Sequence, residues 1–161
     1  MVDTKELRDD DLMRRGRTAL RGGHYKLAHE FLGEYCDRRL REEAPIPGTV
    51  LADYALSVAY LGDLKEGAEV CHRALALDRR NADAYAALSR IHTLGKSRRK
   101  AVEALERGLA VSPRHKGLRA LREEIGVRRS PAIPFLPRDH RWNVLLGKLF
   151  ERFKPRGSRT A

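Results

Sequence analysis

Apolar and small residues along this chain follow a pattern that repeats at a fixed period. Displaced against itself by 34 residues, the sequence lays Leu51 on Tyr85, Tyr54 on Leu88 and Ala55 on Ser89. Further along, Gly67 falls on Ala101, Cys71 on Leu105, Ala74-Leu75 on Gly108-Leu109, Leu77 on Val111 and Arg79 on Pro113. Large positions meet large ones, and small meet small. An earlier copy aligns at an offset of 39, as though five residues were inserted around Ala44 to Gly48: Leu12 meets Leu51, Gly16 meets Ala55, Gly23 meets Gly62, Tyr25 meets Leu64 and Ala28 meets Gly67. This copy is the weakest, because Arg15 stands where Tyr54 and Leu88 supply bulk.

Each unit reads as two short helices joined by a tight turn, with Gly22-Gly23 and Gly62-Asp63 marking two of the turns. The small positions (Gly16, Ala55, Ser89; Ala28, Gly67, Ala101) let helix backbones approach, and the large ones (Leu12, Leu51, Tyr85; Leu32, Cys71, Leu105) fill the space between units. A single helix pair cannot bury its apolar face alone, so such units stack. The stretch Leu61-Gly62-Asp63-Leu64-Lys65-Glu66-Gly67-Ala68, followed by Arg73-Ala74-Leu75-Ala76-Leu77-Asp78, resembles a tetratricopeptide repeat (TPR). So does Tyr85 through Pro113, which ends in that family's terminal proline. The resemblance covers Asp9 to Lys116 as three units. Arg79 replaces the terminal proline of the second, and the third turn, Leu94-Gly95-Lys96, stands one residue out of register. Gly117 to Arg128 carries Leu118, Leu121 and Ile125 at helical spacing and reads as the helix that closes the open end of the stack. The expected fold is therefore all-α: a short right-handed solenoid of about three helix-turn-helix repeats with a capping helix over residues 9–128.

The resemblance also implies that the first helix of each unit lines a concave surface where partners bind. Its groove-facing positions are Met13, Arg14, Arg17, Leu20 and Arg21 in the first unit, Asp53, Leu56 and Tyr60 in the second, and Asp83, Arg90 and Thr93 in the third. One subgroup of the family grips a peptide's terminal carboxylate with lysine, arginine and asparagine. The corresponding positions here are Met13, Arg17, Asp53, Asp83 and Ala87, where only Arg17 has the right charge and two aspartates would repel the ligand. The clamp is rejected in favour of an extended or helical peptide held by apolar anchors and charge pairing. The expected partner is a protein.

Beyond the repeats the composition changes. Residues 129–138 are proline-rich, with Pro131, Pro134 and Pro137 excluding a regular helix, and read as an extended linker. Residues 139–155 then place Trp142, Leu145, Leu146, Leu149, Phe150 and Phe153 on one helical face, within an arc of roughly 140° at 100° per residue. Arg141, Lys148, Glu151, Arg152 and Lys154 lie on the other side. Three readings of this C-terminal amphipathic helix stand open: packing on the chain's own repeats, contact with a partner or a second copy, and insertion into an anionic membrane surface.

Charge sharpens the division. Of the net +11, residues 114–161 carry +9 and the preceding body only +2, so the tail alone asks for an acidic partner. Nucleic acid is disfavoured, because the tail's aromatics fall on the apolar side, away from the basic residues. With 42 % hydrophobic and 34 % charged residues the chain can bury a core, and aromatics at 6 % fit helix better than sheet. Met1 to Asp11 lacks the apolar core of a signal peptide, and no apolar run approaches the roughly 18 residues of a membrane-spanning helix. Cys36 and Cys71 form neither a disulfide framework nor a metal spacing, which fits a reducing compartment; the expected location is cytoplasmic, membrane-associated only through the tail. No phosphate loop, His-Glu-x-x-His pattern or dinucleotide turn is present, and His24, His29, His72, His92, His115 and His140 are scattered. Cys71 and His92 read as core residues. No enzyme and no cofactor are expected.

Overall fold

The computed structural model describes residues 7–126. Among them lie seven helices: α1 (Asp9–Arg21), α2 (Tyr25–Arg41), α3 (Gly48–Tyr60), α4 (Leu64–Leu77), α5 (Ala82–Leu94), α6 (Arg98–Val111) and α7 (Lys116–Ile125). The proline-rich stretch 129–138 and the segment 139–155, with Trp142, Leu145, Leu146, Leu149, Phe150 and Phe153, lie outside the described residues, as do residues 127–128 of the expected cap.

Local chemistry sets the starts. Asp63 and Asn81 accept hydrogen bonds from the backbone N–H of Glu66 and Ala84, as N-caps do. His115 caps α7 through Nδ1, which accepts from Leu118 N at 3.2 Å. Asp9, Asp10 and Asp11 load the first turn of α1 with the negative charge its dipole favours. The turns after α1 and α3 pass through Gly23 and Gly62 at φ 76° and 112°, backbone conformations that glycine adopts without a Cβ clash.

Packing follows the small-and-large pattern. Gly16, Ala28, Ala55, Gly67, Ser89 and Ala101 are all buried. A methyl on Gly16 would lie 2.6 Å from Leu32 Cγ, and one on Gly67 would lie 2.7 Å from the Ala55 carbonyl oxygen. At the third pair the approach carries a bond instead: Ser89 Oγ donates to Ala101 O at 2.9 Å. One core joins α1, α2 and the start of α3 around Leu12, Phe31, Leu32, Tyr35 and Val50; a second joins α3 to α6 around Val70, Cys71, Ala84, Leu88 and Ile91. Leu118, Leu121 and Ile125 of α7 are buried at the end of the stack. The first helices α1, α3, α5 and α7 approach one another in succession, whereas the Cα atoms of α2, α4 and α6 stay more than 8 Å apart. Closer spacing on that side makes it the inner, concave one. The result is an all-α solenoid.

Two details of the repeat differ from the expectation. The five extra residues do not sit as one insertion at Ala44–Gly48. α2 runs 17 residues against 14 in α4 and α6, and the rest of the insertion lengthens the following loop. Arg39 donates to the Pro45 carbonyl across that loop, tying the longer helix end down. The third turn, in turn, is in register. Lys96, 34 residues after Gly62, takes the left-handed conformation at φ 55°, while Gly95 stays at φ −75°. The backbone kept its place and the glycine slipped by one. A left-handed side-chain residue costs about 1–2 kcal/mol, offset by the roughly 0.5–1 kcal/mol of extra unfolded-state freedom a glycine brings. Lys96→Gly should therefore raise stability by about 0.5–1 kcal/mol in urea denaturation; a loss of stability would show the turn to be unstrained.

Candidate interaction groove

The inner face is built from equivalent positions one repeat apart. Arg17 is followed by Leu56 after 39 residues, by Arg90 after 34 more and by Glu124 of α7 after another 34. Arg17, Leu56 and Arg90 each directly follow a buried small residue, Gly16, Ala55 and Ser89, so the helix turns them to the open side.

Five of the sequence-predicted residues come together. Arg17, Leu20 and Arg21 of α1, Asp53 of α3 and Asp83 of α5 line a cavity of about 350 Å³, joined by Thr49. Arg17 Nε donates to Asp53 Oδ2 at 2.8 Å, with both side chains roughly one-third exposed. Burial pushes the Asp53 carboxyl above the ordinary carboxylate range; the Arg17 hydrogen bond and charge oppose this, and Asp83 adds to it. Arg17 is therefore already engaged, and Asp53 is held as an anion against a desolvation cost. Asp83 lies 3.1 Å from His115 Nε2 at the start of α7.

A second cluster lies farther along the face. Tyr60 stacks on Tyr25, ring centroids 4.1 Å apart and planes at 8°, while Arg90 reaches both the Tyr60 hydroxyl and Glu124, each at 3.5 Å. The remaining predicted positions are spoken for differently. Met13 and Leu56 pack partly onto the two cores. Arg14 bonds Asp11 on its own helix and is 73 % exposed. Thr93 Oγ1 donates back to Ser89 O. Thr49, Tyr25, His115 and Glu124 were not anticipated, although carrying the 34-residue step from Arg90 into the closing helix points straight to Glu124.

Nucleophilic chemistry finds little here. Burial raises the Cys36 thiol to about 11 and the Cys71 thiol to about 12, so both stay protonated near neutral pH. Cys71 is fully buried, as expected, but His92 is not a core residue: it is half-buried and lines a cleft on the outer face. Among the described residues no cluster of His, Cys, Asp or Glu could hold a metal ion, and no helix is long and apolar enough to cross a membrane.

No family model matches the sequence, and no curated protein matches it either. Solved structures do. The Arabidopsis OM64 TPR domain is 16 % identical, with a TM-score of 0.59 over 73 % of this chain and 93 % of that one. The first TPR domain of human RPAP3 is 19 % identical, with a TM-score of 0.60 over 73 % and 89 %. The first TPR of Spaghetti (RPAP3), solved bound to the HSP90 peptide SRMEEVD, is 18 % identical, with a TM-score of 0.58 over 78 % and 94 %. Likeness at such low identity speaks for the backbone and not for the ligand, and the backbone described above is what these domains share with the chain. This chain has the tetratricopeptide-repeat fold.

Proposed function

We propose that the chain is a non-catalytic interaction adaptor that holds a peptide or helix of a partner protein along the inner faces of α1, α3 and α5. The observation that carries this is the cavity shared by three successive first helices, with arginines on one wall and aspartates on the other two. Side chains of both signs beside Leu20 and Leu56 suit a ligand that pairs charge and anchors apolar groups. A structural neighbour is bound to an acidic peptide ending in Glu-Glu-Val-Asp. This chain is a poor match for such a ligand, because Arg17 is paired with Asp53 and Asp83 stands beside them. A partner segment with a basic residue directed at the aspartates fits better. The membrane-tether alternative rests entirely on residues 139–155, outside the described residues.

Affinity capture with the full chain, read by mass spectrometry, tests the groove. Asp83→Lys, which sets a cation against the partner's basic residue, should reduce the captured partner at least tenfold while the fold survives. Tyr60→Ala should also reduce capture, at a stability cost of about 1 kcal/mol from the lost stacking on Tyr25, so thermal denaturation accompanies it. Unchanged capture by both variants would move the site off the inner face.

A further inference from the structure

The outer face carries a second cavity that the adaptor reading does not use. It opens between α4 and α6, whose Cα atoms stay more than 8 Å apart, and has α5 as its floor, with a volume of about 470 Å³. That is within the range of small-molecule sites, roughly 300–1,000 Å³.

Comparison with the preceding repeat boundary explains the opening. Between α2 and α4 the gap is filled by Tyr54, whose ring stacks on His29 at 5.3 Å and lies 3.5 Å from where a Cβ on Gly33 would stand. One repeat later the position of Tyr54 is taken by Leu88, that of His29 by Ala68 and that of Gly33 by His72. A phenol ring has been exchanged for a leucine, and the volume left over is open and floored by Tyr85 and Leu88.

The rim changes with the floor. Lys100 stands where the earlier boundary has Glu66, His92 where it has Val58, and His72 where it has Gly33. Arg79 and Arg107 also line the cleft, and its lining carboxylate, Glu103, is bound by Arg107 at 2.7 Å. No carboxylate pairs with Arg79 or Lys100 among the described residues. An apolar floor with a ring-sized gap therefore lies under a rim with a surplus of cations.

From this juxtaposition we propose that the cleft between α4 and α6 binds a small aromatic phosphate, its ring on Tyr85 and Leu88 and its phosphate among Lys100, Arg79 and the two histidines. The phosphate gathers charge-assisted hydrogen bonds that a neutral ligand could not, and the ring occupies the place that Tyr54 fills one repeat earlier. His92 is held below its ordinary pKa by burial first, then by the charges of Lys100 and His72, with Glu103 opposing. A bound dianion reverses that balance and raises it. Arg79, Lys100, Arg107 and the carboxylate of Glu103 are the other charged groups facing the bound phosphate.

Titration of the full chain with phenyl phosphate at constant ionic strength, followed by NMR of backbone amides and histidine rings, tests this. Saturable shifts should be confined to α4, α5 and α6, the His92 pKa should rise, and inorganic phosphate should bind at least tenfold more weakly. Lys100→Glu should weaken phenyl phosphate at least tenfold, and Leu88→Tyr, which fills the gap, should abolish its binding with the rim intact. Arg17→Glu on the inner face should change nothing, so failure of the groove and of the cleft are distinguishable. Equal affinity for inorganic phosphate, or undiminished binding by Lys100→Glu, would overturn the proposal. The charge variant decides even if the tyrosine variant does not fold.

Discussion

Gly67→Ala should lower the unfolding free energy by about 1–3 kcal/mol, although alanine is the better helix former by roughly 1 kcal/mol. The added methyl would lie 2.7 Å from the Ala55 carbonyl oxygen and 3.0 Å from Ala59 Cβ, and neither atom can swing aside. α3 and α4 must move apart, loosening the fully buried contacts of Cys71 and Ala74. Gly16→Ala meets the Leu32 side chain instead, which can change rotamer at some cost in a closed core, so its loss should be smaller. Gly33→Ala makes an ordinary 3.5 Å contact with Tyr54 and should gain up to about 1 kcal/mol from helix propensity alone. At a few degrees per kcal/mol, urea and thermal denaturation resolve the order. A neutral Gly67→Ala would mean that the two helices do not meet at that residue, and the nesting of small against large would lose its central case.

The contrast among these glycines shows how much a sequence comparison can carry. The period and the matching of small positions placed Gly16, Ala55, Gly67, Ser89 and Ala101 at close approaches, because helix contact is limited by side-chain size and size is visible in the letters. The closing helix was equally legible, and α7 starts 34 residues after α5, in strict register. What was not legible depends on distant partners or on backbone compensation. The path of the five extra residues is set by where α2 ends, with Arg39 reaching the Pro45 carbonyl. The third turn keeps its shape with Lys96 in a conformation the letters assign to Gly95. At the candidate groove, the resemblance named Arg17, Leu20, Arg21, Asp53 and Asp83, which line one cavity, but not the bond between Arg17 and Asp53, whose 36-residue separation spans two repeats. Treating Tyr54 and Leu88 alike as large positions also concealed the outer cleft, since the difference between them is what leaves it open.

Arg17→Glu should lower stability by about 2 kcal/mol at pH 7 and by much less near pH 4. Removing one member of a fully buried ion pair costs about 3–5 kcal/mol; Arg17 and Asp53 are each roughly one-third exposed, so water recovers part of that. The new carboxylate also faces Asp53 and Asp83 across the same cavity. In the native chain, folding already raises the Asp53 pKa above its ordinary 3.8, chiefly by burial. The folded state thus binds that proton more tightly than the unfolded state, and ionising Asp53 costs stability as pH rises above 3.8. Loss of the arginine and arrival of a second carboxylate push the pKa further up. The penalty of the variant is therefore fully present at neutral pH and fades as pH falls, when a protonated Asp53 can donate a hydrogen bond to the introduced carboxylate. Arg17→Met removes the guanidinium without adding charge and should fall between the variant and the native chain at pH 7. Urea denaturation of the three proteins at both pH values measures this with no partner in hand. If Arg17→Glu matched the native chain at pH 7, the ion pair would be absent in solution, and Arg17 would be free to meet a ligand's carboxylate after all.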